Sequence, residues 1–149
     1  MKTEAVTDAM THLYNRGGWD NLLAFEEERC RQFGHPAAVL IIDLDELSRV
    51  NDTQGHAAGD ALIVRAGSAL RHAARSLDVV ARLGGDEFGI LSTECDRVGG
   101  EALLKRVRLA LAEANVMASV GLAMRNPSHG ITGAWETADQ LMYEEKRSR

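Results

Sequence analysis

Arg82-Leu83-Gly84-Gly85-Asp86-Glu87-Phe88 sets two glycines between two apolar segments, Val79-Val80-Ala81 and Phe88-Gly89-Ile90-Leu91. That pattern predicts two short strands joined by a tight turn. Glycine tolerates positive φ and carries no Cβ, so a bulky anion can approach the backbone there. Two carboxylates, Asp86 and Glu87, follow the glycines directly. Adjacent carboxylates repel, and such a pair is costly unless solvent or a cation relieves it. A metal ion carrying a triphosphate is such a cation, because Mg²⁺ takes oxygen ligands and keeps substrate phosphates in its shell.

Working outward, residues 37–42 are continuously apolar and read as a strand buried on both faces. The strand runs into Asp43-Leu44-Asp45. Acids at the exit of a buried strand serve stability poorly and are a common place for chemistry. A short helix is expected from near Glu46, with free backbone N–H groups able to hold a phosphate. Gly55 and Gly59 read as bracketing a turn, and a longer helix follows over residues 60–75. The earlier helix spans about residues 18–33 and is broken by Gly34-His35-Pro36. Beyond the central hairpin come an amphipathic helix over residues 97–114, a strand over 117–123, a loop over 126–130 and a helix over 134–146. The order α-β-α-α-β-β-α-β-α predicts an α+β sandwich with helices on a mainly antiparallel sheet.

A chain of 149 residues is enough for one domain, and residues 1–149 are read as a single unit. The net charge of −5 argues against a nucleic-acid binder. A bound Mg²⁺ supplies the positive charge that an acidic chain lacks for holding a nucleotide. Cys30 and Cys95 form no metal or redox spacing and read as ordinary thiols of a reducing cytosol. The longest apolar run is too short to span a bilayer. The expectation is a cytoplasmic domain with no membrane segment in this chain.

Gly84-Gly85-Asp86-Glu87-Phe88 is identical to the signature of the GGDEF family, the diguanylate cyclases of bacterial signalling. Asp43-Leu44-Asp45 with Asn51-Asp52-x-x-Gly55-His56-x-x-Gly59-Asp60 resembles the family's second block, D-x-D-x-F-K-x-I-N-D-x-x-G-H-x-x-G-D. The spacing is unbroken from Asp43 to Glu87. Asp8-Ala9-Met10-Thr11-His12-Leu13-Tyr14-Asn15-Arg16 resembles its opening segment, D-x-L-T-G-L-x-N-R, with Met10 and His12 for Leu and Gly. A glycine would ease a turn at the second of these, so a different local backbone is expected at His12. Ala138-Asp139-x-x-Met142-Tyr143-x-x-Lys146 is similar to the closing A-D-x-A-L-Y-x-A-K. The resemblance covers essentially the whole chain.

It implies the fold of the nucleotidyl cyclases and polymerase palm domains. It also implies condensation of two GTP molecules, held on the facing domains of a homodimer, into cyclic di-GMP with release of pyrophosphate. By position, Asp43 and the Leu44 carbonyl are ligands of Mg²⁺ or Mn²⁺. Asp86 and Glu87 complete the metal site, and one of the two helps to deprotonate the attacking hydroxyl. Asn51 and Asp60 select guanine, whose Watson–Crick edge offers adjacent donors to a carboxylate. Read alone, an Asn or Asp before a helix is a cap, and the family register reverses that preference. His56, Gly84, Gly85 and Lys146 join the substrate contacts. Leu47-Ser48 replaces the family's Phe-Lys, so Ser48 lacks the charge that a lysine brings to the phosphates. The chain also ends before the family's further Arg, a role open to Arg147 or Arg149. Arg75-Ser76-Leu77-Asp78 matches the family's inhibitory R-x-x-D, which binds cyclic di-GMP, and Arg29 stands where a neighbouring domain adds a second Arg. The alternative implied by Ser48 is a catalytically weak domain that binds GTP or cyclic di-GMP as a regulatory module. A sensory segment ahead of this chain is expected in either case.

Overall fold

A computed structural model describes residues 5–149. The elements follow the expected order: α1 Arg16–Phe33, β1 Ala37–Leu44, α2 Leu47–Gln54, α3 His56–Ala73, β2 Val79–Arg82, β3 Glu87–Thr93, α4 Arg97–Glu113, β4 Ala118–Met124 and α5 Gly130–Arg147. The strands form one sheet in the order β2-β3-β1-β4, every pair antiparallel. The fold is α+β, as expected.

β1 is continuously apolar because it is central and feeds two cores. Leu40, Ile42 and Leu44 pack with Phe88, Ile90, Leu70 and Leu103 on the face covered by α3 and α4. Val39 and Ile41 pack with Trp19, Leu91, Ile131 and Ala138 on the face covered by α1 and α5. Side chains alternate along a strand, so Asp43 emerges on the α1/α5 face. The register sets Asp43 opposite Glu87 on β3 and Ser119 on β4. No helix among the described residues is long and apolar enough to cross a membrane.

Three local expectations are corrected. Gly59 does not end a turn but lies within α3, which begins at His56, and Gly55 alone takes the left-handed φ of +91°. A Cβ at Gly59 would stand 1.7 Å from Asn51 Oδ1, so the missing side chain here is what lets Asn51 of α2 lie against α3. α5 begins at Gly130, earlier than its apolar pattern suggests. The reason is tertiary: Ile131 N donates to Glu27 Oε1 at 2.8 Å, so α1 supplies the cap. His12 holds φ +63°, so the backbone keeps a turn suited to glycine. Asp8 secures it, its backbone carbonyl accepting from His12 N at 2.8 Å and its carboxylate from Thr11 N at 2.9 Å.

Candidate active site

The site is the end of β1, the turn over residues 83–86 and the last two turns of α5. The turn is splinted by Arg82. Its Nε donates to the Gly84 carbonyl at 3.1 Å and its Nη2 to the Gly85 carbonyl at 2.9 Å, while Nη1 pairs with Asp8 at 3.3 Å. The opening segment thereby holds the glycine turn through one guanidinium. Neither Gly84 nor Gly85 has a left-handed φ, contrary to the turn chemistry expected. A Cβ on either would meet nothing within 4 Å. Their backbone is open to an approaching group, which is the other half of the expectation.

Asp43 and Glu87 are half-buried neighbours across the strand pair, and Asp86 joins them through the bond from Leu44 N to its carbonyl at 3.0 Å. Burial raises the Asp43 carboxyl above its ordinary value, opposed by the Lys146 hydrogen bond and reinforced by Asp86 and Asp45. Glu87 is pushed up to about 7, first by burial, then by Asp139, Asp43 and Asp86, with Arg16 opposing. Asp139 belongs to the closing motif, but nothing in its sequence position assigns it a role.

Among the described residues, no three carboxylate, imidazole or thiolate side chains converge closely enough to cage a metal ion. Asp43, Asp86 and Glu87, expected by position to share a metal site, stand at the end of β1 and where the glycine turn enters β3. The donor set still fits Mg²⁺ or Mn²⁺. It consists of oxygens, and Mg²⁺ commonly takes one or two carboxylates and leaves the rest of its shell to water and phosphate. A cationic side chain lies against two of these oxygens: Lys146 Nζ is 2.5 Å from Asp43 Oδ1 and 3.1 Å from the Leu44 carbonyl. Lys146 Nζ also lies 3.5 Å from Asp45 Oδ1. Ser119 Oγ donates to that same oxygen at 2.7 Å. Arg149 Nε is 3.2 Å from Asp45 Oδ2, an ion pair without hydrogen-bond alignment, since Oδ2 has no such bond.

Asn51 sits inside α2 and Asp60 inside α3, so neither is a helix cap. Packing of Asn51 on Gly59 brings it beside the residue preceding Asp60. Asp60, His56 and Ser48 are all exposed, Ser48 in the first turn of α2. Arg147 lies over the Tyr143 ring, 5.8 Å from its centroid, while Arg149 faces Asp45.

Arg75 and Asp78 form an ion pair at 3.0 Å in which the Asp78 side chain is wholly buried. Arg75 Nη2 also donates to Ser92 Oγ at 2.9 Å and to the Thr93 carbonyl. Arg75 lines a cavity of about 340 Å³ with Glu94, Cys95, Asp96 and Arg106. Asp78 faces inward and accepts from Arg75 and Ser92 rather than lining that cavity. Arg29 reaches the same surface through Glu94 at 3.6 Å. Arg82, Arg106 and Asp139 are the residues that sequence reasoning missed. Each owes its place to contacts distant in the chain. A cavity of about 600 Å³ around Asn126, His129 and Thr137 lies at the start of α5 and includes none of Asp43, Asp86 and Glu87.

A family model described as "Diguanylate cyclase, GGDEF domain" matches residues 5–149. The chain is 32% identical over 157 residues to the probable diguanylate cyclase DgcC of Escherichia coli K12, covering 99% of this chain and 42% of that protein. It is 31% identical over 156 residues to the diguanylate cyclase DgcP of Pseudomonas aeruginosa, covering 99% and 23%. The chain thus spans less than half the length of these relatives. Among solved structures, the GGDEF domain of DgcB from Caulobacter crescentus in complex with c-di-GMP matches with a TM-score of 0.91 at 26% identity, covering 99% of this chain and 94% of that one. The diguanylate cyclase SiaD from Pseudomonas aeruginosa, in complex with its activator SiaC, matches with a TM-score of 0.90 at 29% identity, covering 97% and 59%.

Proposed function

The chain belongs to the GGDEF domain family, and from that premise we propose that it is a diguanylate cyclase acting as a homodimer with Mg²⁺ or Mn²⁺. The observation that carries the reading is the gathering of Asp43, the Leu44 carbonyl, Asp86 and Glu87 beside an open glycine turn. Two GTP molecules lie on facing domains. The 3′-hydroxyl of each attacks the α-phosphorus of the other, two phosphodiester bonds form and two pyrophosphates leave. Each hydroxyl proton passes to a carboxylate, Asp86 or Glu87. A metal bound at Asp43 supplies charge neutralisation for the phosphates, which is the main requirement of phosphoryl transfer. Asn51 and Asp60 read guanine, and adenine would leave their polar groups unmatched. Lys146 has the length and charge to meet a phosphate once released from Asp43. Arg75, oriented by buried Asp78, receives cyclic di-GMP in the cavity it shares with Arg106, and Arg29 of a neighbouring domain completes that inhibitory site. The reducing cytosol and a preceding sensory segment belong to the same reading.

Incubation with GTP and Mg²⁺ followed by chromatography tests it. The expected products are one cyclic di-GMP and two pyrophosphates per two GTP consumed. Exposure of Ser48, where the family carries a phosphate-binding lysine, favours a second reading: a weak domain that binds nucleotide to regulate. Unchanged GTP in the presence of measurable GTP or cyclic di-GMP binding would select that one.

A further inference from the structure

We propose that Lys146 is a built-in competitor for the metal ion, holding the oxygens that the ion needs until a nucleotide draws it away. The inference rests on the reading of Asp43 and Leu44 as metal ligands. The ammonium makes its two shortest contacts with those two groups, 2.5 Å to Asp43 Oδ1 and 3.1 Å to the Leu44 carbonyl. Mg²⁺ demands its oxygens at about 2.0–2.1 Å in near-octahedral geometry. An ammonium donating to the same oxygens occupies the approach and repels a second cation. Binding of the ion therefore requires Lys146 to leave.

The surroundings make that departure feasible. Lys146 stands at the penultimate position of α5, on a four-carbon stem with many rotamers. Asp45 offers a second partner, with Lys146 at 3.5 Å from the oxygen that Ser119 already fixes at 2.7 Å. Asp45 is in turn steadied by Arg149 at 3.2 Å. A displaced Lys146 thus stays tethered at the rim, where a triphosphate arriving with the ion presents its negative charge. The same side chain opposes the ion alone and assists the ion with nucleotide. A divalent ion without nucleotide binds poorly, and the site is completed only by the substrate complex.

That double role has a signature that a plain phosphate-binding lysine lacks. Calorimetry on the whole chain with MnCl₂ alone, and separately with GTP and MnCl₂, compares the parent with Lys146→Met, Lys146→Arg and Asp43→Asn. Lys146→Met is expected to bind Mn²⁺ alone at least about tenfold more tightly, on the scale of one charge-assisted contact removed, and to bind the nucleotide complex more weakly. Lys146→Arg keeps a cation in place and is expected to stay near the parent for Mn²⁺ alone. Should Lys146→Met fail to fold by circular dichroism, Lys146→Gln carries the same readout. Mn²⁺ affinity in the neutral variant equal to or below that of the parent overturns the inference while leaving the metal site standing. Mn²⁺ binding indifferent to Asp43→Asn, or absent from every variant, overturns the ligand assignment and this inference together.

Discussion

Glu87 is held in the fold at a cost to stability. Its carboxyl ionises near 7, against an ordinary 4.5, because burial and then Asp139, Asp43 and Asp86 disfavour the charge. The folded protein therefore binds this proton more tightly than the unfolded chain does. Stability without metal is expected to fall as pH rises from about 4.5 through about 7. Allowing for its partial exposure, the effect is on the order of 1–2 kcal/mol. Glu87→Gln should raise the melting temperature in chelator at pH 8 and abolish cyclic di-GMP formation; a melting temperature below that of the parent would contradict the repulsion argument. His12 carries a different strain: with Glu94 and Asn115 it is one of three non-glycine residues, among those described, that hold a left-handed φ. A left-handed backbone costs an L-residue roughly 1–2 kcal/mol, and glycine returns part of the gain as unfolded-chain entropy. His12→Gly is expected to stabilise by about 0.5–1 kcal/mol in urea unfolding.

Among the elements, α2 and α3 meet through one missing Cβ. Gly59→Ala places a methyl 1.7 Å from Asn51 Oδ1. Alanine favours the helix interior by about 1 kcal/mol, so the fold should survive while Asn51 is pushed off its position. GTP affinity is expected to drop about tenfold, the scale of one buried polar group left unmatched, with little change in melting temperature. The clamp between α1 and the β4–α5 connection behaves in the opposite way. Arg125 donates twice to Glu27, at 2.9 Å each, and both side chains are largely buried. Hydrogen bonds from Arg125 lead the causes that hold Glu27 at about 2. Its contribution is complete above about pH 4.5 and is lost as pH falls through about 2. Glu27→Gln removes one charge and leaves Arg125 buried beside a neutral amide. It should cost roughly 3 kcal/mol by denaturant titration.

For the whole molecule, the two sites lie apart. The carboxylates occupy the α1/α5 face at the end of β1, whereas the Arg75 cavity opens between the segment before β2 and the start of α4. In the proposed reading, product bound at the second site inhibits without touching the first only if it favours an arrangement of two domains that keeps the catalytic faces apart. Arg75→Ala would strip the buried Asp78 carboxylate of its cation, leaving it only the Ser92 hydroxyl and the backbone N–H of residue 75, and so confuse binding with unfolding. Arg106→Ala is the cleaner probe, since Arg106 lines the cavity and its Nε donates only to the Ala73 carbonyl, at 2.9 Å. Cyclic di-GMP affinity is expected to fall at least about tenfold in this variant, and product-driven association in sedimentation to weaken with it, at unchanged melting temperature.

The order of elements, the central place of β1 and the carboxylates at its exit were all legible in the sequence. Each depends on short-range pattern: apolar runs, glycine breaks and the fixed alternation of side chains along a strand. The motif spacing likewise carried the family and the candidate site. Contacts between distant residues were not legible. Lys146 meets Asp43 across 103 positions, and its partner follows from how α5 lies on the sheet. Asp78 turns inward because Ser92 and Arg75 satisfy it there. Gly59 reads locally as a breaker, yet it lies inside α3, where its missing Cβ makes room for Asn51 of α2. Local pattern determines which elements form and which side chains share a face. Which polar group ends beside which is decided by packing, where desolvation must be matched by a partner wherever the fold happens to bring one.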